Sequence, residues 1–193
     1  MRAIATVLLV VVLIALSGCG KQESATEETK QPADAQTAVE PPATNLHTAS
    51  ASGNLEAIRQ HIEAGSDLNV KDPQGGACPL STAALFGQTD AAVALIEAGA
   101  DINCRGNDGA TPLHVAAFFC RPEIVRALLD KGADTTIKNS YGSTPLETVS
   151  GPFEKAKPFY EHFEKTLGPM GVKLDYEQIE KTRPEIAEML RET

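Results

Sequence analysis

The stretch "GATPLHVAA" occupies residues 109–117, and two relatives of it stand at equal distances on either side. "GACPLSTAA" begins at Gly76 and "GSTPLETVS" at Gly142, each 33 residues from Gly109. Upstream, "NLHTASASGNLEAIRQHIEAGSDLN" (45–69) aligns with "PLSTAALFGQTDAAVALIEAGADIN" (79–103) at a step of 34, so one residue is inserted near Gly75 and Gly76. Three segments also end alike: "EAGSDLN" at 63–69, "EAGADIN" at 97–103 and "DKGADTT" at 130–136. A period of this length marks a stacked-repeat architecture. One unit cannot bury its own apolar face, and several units side by side build one continuous core.

Within the unit, each residue type has a physical role. The Thr111 hydroxyl can cap a first helix, and Pro112 suits the first helical position, where no N–H is needed. Ala116 and Ala117 are small enough for two helices to approach closely. A second helix is expected over 123–131, with Ile124, Val125, Leu128 and Leu129 at helical spacing. Gly132 would end it, as Gly65 and Gly99 do in the neighbouring units. "NDGAT" and "SYGST" read as turns.

Period and motif together strongly resemble the ankyrin repeat, whose T-P-L-H-x-A start is matched in full by Thr111-Pro112-Leu113-His114-Val115-Ala116. The resemblance covers 45–146. It implies an all-α solenoid of helix-turn-helix units joined by β-hairpin loops, with repeats at about 45–72, 73–105 and 106–138 and a degenerate fourth from 139. Departures are visible too. Cys78 replaces the Thr, Ser81 and Glu147 replace the His, and Cys120 stands where Gly joins the two helices. His61 takes a usual Leu position, which suits an exposed N-terminal repeat. The pattern fails after Leu146.

The tail, 151–193, reads as a helical C-terminal cap over the last repeat's open face, since terminal repeats need a polar cover. Phe159, Phe163 and Leu167 recur at four-residue steps and predict a helix over 158–167, stopped by Gly168-Pro169. Asp175 can cap a second helix over 176–182, and Pro184 can start a third.

At the other end, an apolar run over 3–16 is too short to span a bilayer as a helix, which takes roughly 20 residues. With Arg2 before it and small residues after it, residues 1–18 have the layout of a signal peptide. Leu16-Ser17-Gly18-Cys19 resembles the lipobox of bacterial lipoproteins. That resemblance implies cleavage before Cys19, a lipid on its thiol, and acyl chains such as palmitate holding the protein in the membrane. Gly20, in place of an Asp, favours the outer membrane, facing the periplasm. A plain signal peptide cut elsewhere, or a short signal anchor, is the alternative. Residues 19–44, rich in Glu, Thr, Ala, Gln and Pro, read as a disordered linker ending in Pro41-Pro42.

The formal net charge of −9 makes nucleic acid a poor partner. No histidine pairs with another His or a Cys at metal-ligand spacing. No phosphate loop, nucleophile elbow or dinucleotide fingerprint occurs. Asp67, Asp101 and Asp134 recur once per repeat and belong to the loops. No enzyme, metal or cofactor is therefore expected. The resemblance assigns His47 and His114 to hydrogen bonds between loops. Cys78, Cys104 and Cys120 are an odd set for an oxidising compartment. They are either buried thiols or, for Cys78 and Cys104, a conceivable bridge.

In ankyrin proteins a partner usually lies on the concave face, made by the hairpin tips and the outward side of each first helix. Here the corresponding positions are Leu85 and Phe86 in repeat two and Phe118 and Phe119 in repeat three, with Asn107, Asp108 and Tyr141 as a polar rim. The alternative packs the aromatics under the hairpins or under the tail. The expected function is a monomeric, non-enzymatic, protein-binding lipoprotein of the bacterial envelope. Two more specific readings stay open: an immunity or accessory lipoprotein neutralising a secreted effector such as a phospholipase, and a periplasmic thiol redox protein.

Overall fold

The computed structural model describes residues 40–193. The signal segment 1–18, Cys19 and the linker up to residue 39 lie outside the described residues. Three helix pairs follow one another: α1 (Leu46–Ser52) with α2 (Leu55–Glu63), α3 (Pro79–Phe86) with α4 (Thr89–Glu97), and α5 (Pro112–Phe118) with α6 (Pro122–Asp130). Then come a short α7 (Pro145–Val149), a long α8 (Phe153–Leu167), a 3-10 turn (Gly168–Met170) and α9 (Tyr176–Met189). The first helices stack in the order α1, α3, α5, α7, and the second helices in the order α2, α4, α6. Ala83, Ala84, Ala116 and Ala117 are fully buried where these layers meet, together with Leu80, Leu95, Leu113, Ile124 and Leu128. Small residues on the first helices and branched ones on the second let the layers interdigitate closely.

Caps start the helices where the sequence places them. Thr111 accepts from the His114 N–H, while the His114 ring accepts from the Thr111 N–H at 3.2 Å, a reciprocal capping box. In repeat four Glu147 substitutes for the histidine and closes the same box with Thr144, its carboxylate accepting from the Thr144 N–H at 2.7 Å. In repeat two Cys78 makes no capping bond to the helix, and its Sγ lies 3.4 Å from Ser81 Oγ.

Among the described residues no strand forms, so the expected β-hairpins are tight turns. Each is closed across its base by a backbone bond, Gly106 N–H to Ala110 O and Asn139 N–H to Ser143 O, both 3.0 Å, with a second bond inside each turn. The inserted residue is absorbed in the first of these turns, which runs from the Asp72 N–H to Ala77 O at 2.9 Å. Asp67, Asp101 and Asp134 each accept from the N–H two residues on, at 2.8, 2.9 and 2.8 Å.

Two readings of the tail are corrected. The helix expected over 158–167 begins at Phe153 and carries Pro158 inside it. The two helices expected around Pro184 are one, α9, with Pro184 inside it. Ile179, Thr182, Arg183, Ile186 and Ala187 form one buried stripe along α9. Burial of that stripe on both sides of Pro184 outweighs the single backbone bond the proline removes. α9 packs against α6 and α7 and so takes the place of a second helix for repeat four. The repeat is completed from a segment that lies beyond the inserted α8.

His61 is also corrected. It is 7% exposed and not part of an open first repeat. Its Nε2–H donates to the Thr44 carbonyl at 2.7 Å and its Nδ1 lies 3.0 Å from Ser66 Oγ, so the incoming chain covers it.

Candidate partner-binding surface

The turn tips are tied sideways to one another. The Asn107 N–H donates to Gly75 O at 3.0 Å, and the Ser140 N–H donates to Asp108 O at 2.8 Å. Asn107 also donates from its side chain to Gln74 O at 3.2 Å, and Asp108 Oδ1 accepts from the Ala110 N–H at 3.0 Å. Lys71 reaches Arg105 O and Arg105 reaches Lys138 O, each at 2.8 Å. His47 Nε2–H donates to Val70 O at 2.9 Å, and His114 Nε2–H donates to Ser143 O at 3.0 Å. These bonds make the row of tips one continuous edge. Tyr141 stands on that edge 83% exposed, with its backbone N–H held by the Asn139 side chain at 3.0 Å. Asn107 and Asp108 are exposed beside it.

The four apolar positions divide. Leu85 and Phe86 are half-buried, and Phe86 lines a cavity with Ala51 and Met170. Phe118 and Phe119 do not stand open on a groove. Phe118 stacks on Tyr160 with ring centroids 4.5 Å apart, and both phenylalanines meet Phe163 edge-on at 5.5 Å. Phe119 is 5% exposed. The chain's own α8 covers this pair, because the four aromatic rings gain more by packing together than by facing water.

Behind the aromatics lies a group that sequence reasoning missed. Arg183 is 4% exposed and has no carboxylate partner among the described residues. Its guanidinium donates to Tyr160 Oη at 2.9 Å, to Gly151 O at 3.1 Å and to Thr148 O at 3.4 Å. Burial, and next the Cys120 thiol, push the Tyr160 hydroxyl up, so it stays protonated and donates onward to Phe118 O at 2.7 Å. Arg183 thus pins α9 to the end of α7 and to α8. No sequence motif marked it, since it sits beside a proline read as a helix start.

All three described cysteines are free and buried. Burial pushes Cys104 up to about 12 and Cys120 up to about 11. A reactive thiol needs the opposite shift and access to solvent. Arg121 beside Cys120 in sequence does not reverse this, since its influence is smaller than that of burial. Cys120 has a separate peculiarity. It closes α5 at φ 54°, the one non-glycine residue in the left-handed region among those described, where Gly53 and Gly87 serve the other repeats at φ 69° and 71°.

A layered stack of helix pairs with tied turn tips defines the class of repeat solenoids. Residues 46–139 match the family described as Ankyrin repeats (3 copies), and the fold is an ankyrin solenoid with a C-terminal helical cap. No curated protein matches the chain. Ankyrin repeats form protein-interaction domains, and that is the class of function the fold supports.

Proposed function

We propose that this chain is a non-enzymatic ankyrin-repeat lipoprotein that holds a protein partner at the bacterial cell envelope. The lipid on Cys19 tethers it, and the partner docks along the edge of turn tips and the neighbouring first-helix positions. The observation that carries this reading is Tyr141: a large aromatic ring, 83% exposed, on a backbone fixed by Asn139. Rigid aromatics of this kind make good binding anchors because little side-chain entropy is lost on docking. Asn107 and Asp108 on the adjacent tip supply polar partners, and Leu85 and Phe86 supply apolar area. Phe118 and Phe119 support the cap and are left out of the docking surface.

The test is affinity capture from the native envelope using the full chain, its Tyr141→Ala and Phe86→Asp variants, and Cys19→Ser. Tyr141→Ala should lower capture of the major partner at least about tenfold, the scale of an anchor residue worth over 1 kcal/mol. Cys19→Ser should abolish incorporation of labelled palmitate and release the protein from the membrane fraction. Undiminished capture by both surface variants would overturn the docking surface. Palmitate retained in Cys19→Ser would overturn the anchor.

A further inference from the structure

A cavity of about 380 Å³ is lined by Ala51, Phe86, Gln88, Arg121, Met170 and Lys173 with their neighbours, a size within the range of small-ligand sites. Arg121 is the unusual member. Its Nε is buried and has no hydrogen-bond acceptor among the described residues. The only ion pair among the described residues joins Arg191 to Glu188, so no carboxylate reaches Arg121 within 4.0 Å. Burial lowers the proton affinity of its guanidinium, and Cys120 and then Glu123 offset this only in part. Arg121 as a whole is half-buried, but a guanidinium nitrogen buried without an acceptor is costly unless something negative sits against it.

The surroundings are shaped for such a group. The guanidinium lies over Gly87, where a Cβ would stand 2.8 Å from Arg121 Cζ. Gly87 therefore serves two ends, its φ of 71° and room for the cation. Lys173, with an exposed side chain, brings a second positive charge to the same cavity. Gln88 and Arg121 are the cap residues of α4 and α6, and neither makes a side-chain capping bond, whereas Asn54 caps α2. Two helix starts thus open beside the cavity without a side-chain acceptor. Two cations converge here on a chain whose net charge is −9.

We propose that this cavity binds a small-molecule oxyanion, a carboxylate or a phosphate, held between Arg121 and Lys173. An Arg guanidinium suits the planar pair of oxygens that either group offers. Phe86, Met170 and Ala51 form an apolar wall that can take the body of an organic anion.

The test is a titration of the full chain, isotopically labelled, with sodium phosphate and separately with sodium benzoate, against sodium chloride at matched ionic strength. The readout is the Arg121 Nε–H resonance. A saturable shift with a Kd of about 1 mM or tighter is expected for at least one anion. Saturation by phosphate alone identifies an inorganic or phosphoryl ligand, and saturation by benzoate engages the apolar wall; either supports the site. Lys173→Gln, at an exposed residue, should weaken binding roughly threefold to tenfold with the helical signal unchanged. In Arg121→Gln the saturable shifts of neighbouring Gly87 and Gln88 amides should vanish. No saturation by either anion, or saturation unchanged in Lys173→Gln, would overturn the proposal.

Discussion

The Tyr160 hydroxyl donates to the Phe118 carbonyl at 2.7 Å and accepts from Arg183 at 2.9 Å, so one side chain of α8 links the last full repeat to α9. Tyr160 itself is fully buried. Tyr160→Phe keeps the ring stack with Phe118 and removes both bonds. The Phe118 carbonyl and one donor of a buried cation lose their partner, at a cost of about 1–3 kcal/mol. Tyr160→Ala should cost more, about 3–5 kcal/mol, because a cavity is added. Urea denaturation followed by circular dichroism checks both. Equal stability of Tyr160→Phe and wild type would show that the linkage carries no net energy.

Cys120 should show an inverted order of small substitutions. Alanine there keeps the left-handed strain and loses the thiol. Glycine loses slightly more side chain and removes strain of roughly 1–2 kcal/mol. Cys120→Gly should therefore be more stable than Cys120→Ala by about 1 kcal/mol, measured by thermal or chemical unfolding. Alanine as the better replacement would show that Cβ packing and the lower chain entropy of alanine outweigh the left-handed strain.

His114 ties stability to pH. Burial lowers its folded pKa below 6.5, and its Nδ1 accepts from Thr111 while Nε2–H donates to Ser143. The unfolded chain then binds the proton more tightly. Stability from this group is fully present above about pH 6.5 and is lost as pH falls from there toward the folded pKa. Unfolding free energy measured between pH 7.5 and about 5 should decline, and His114→Gln should flatten the decline. A slope that survives the substitution would assign the effect elsewhere. The lowered carboxyls of Asp72 and Glu147 act below this window, since their ordinary values are 3.8 and 4.5.

The three described thiols should resist alkylation in the native chain. At pH 8 a thiol with a value of about 11 is about one-thousandth thiolate, and Cys104 at about 12 is less ionised still. Native-state treatment with iodoacetamide followed by mass analysis should leave Cys78, Cys104 and Cys120 unmodified. All three should label on denaturation. Rapid native labelling at Cys120 would favour the redox reading.

Most of the repeat architecture was legible before any coordinates, because each repeated residue has a local job. Thr111 caps, Pro112 starts, Ala116 and Ala117 make room, and Gly132 stops; none of these needs knowledge of a distant partner. The concave-face residues were half legible. Tyr141, Asn107 and Asp108 are exposed because turn tips face solvent by construction. Phe118 and Phe119 were ambiguous, since an aromatic at an outward helix position packs or stands free according to what else the chain brings to it. What it brings is Phe163 and Tyr160, more than 40 residues on.

The periodic sequence alone was enough to specify the class of fold, the phase of each helix pair and the turns between them, because these rest on interactions within about 33 residues. Tertiary structure decided how the solenoid ends. It closed repeat four with α9, carried two prolines through helices, buried Arg183 without a counter-charge among the described residues and left Arg121 facing a cavity. Each of those outcomes depends on packing between segments far apart in the chain, where burial energy outweighs local preference.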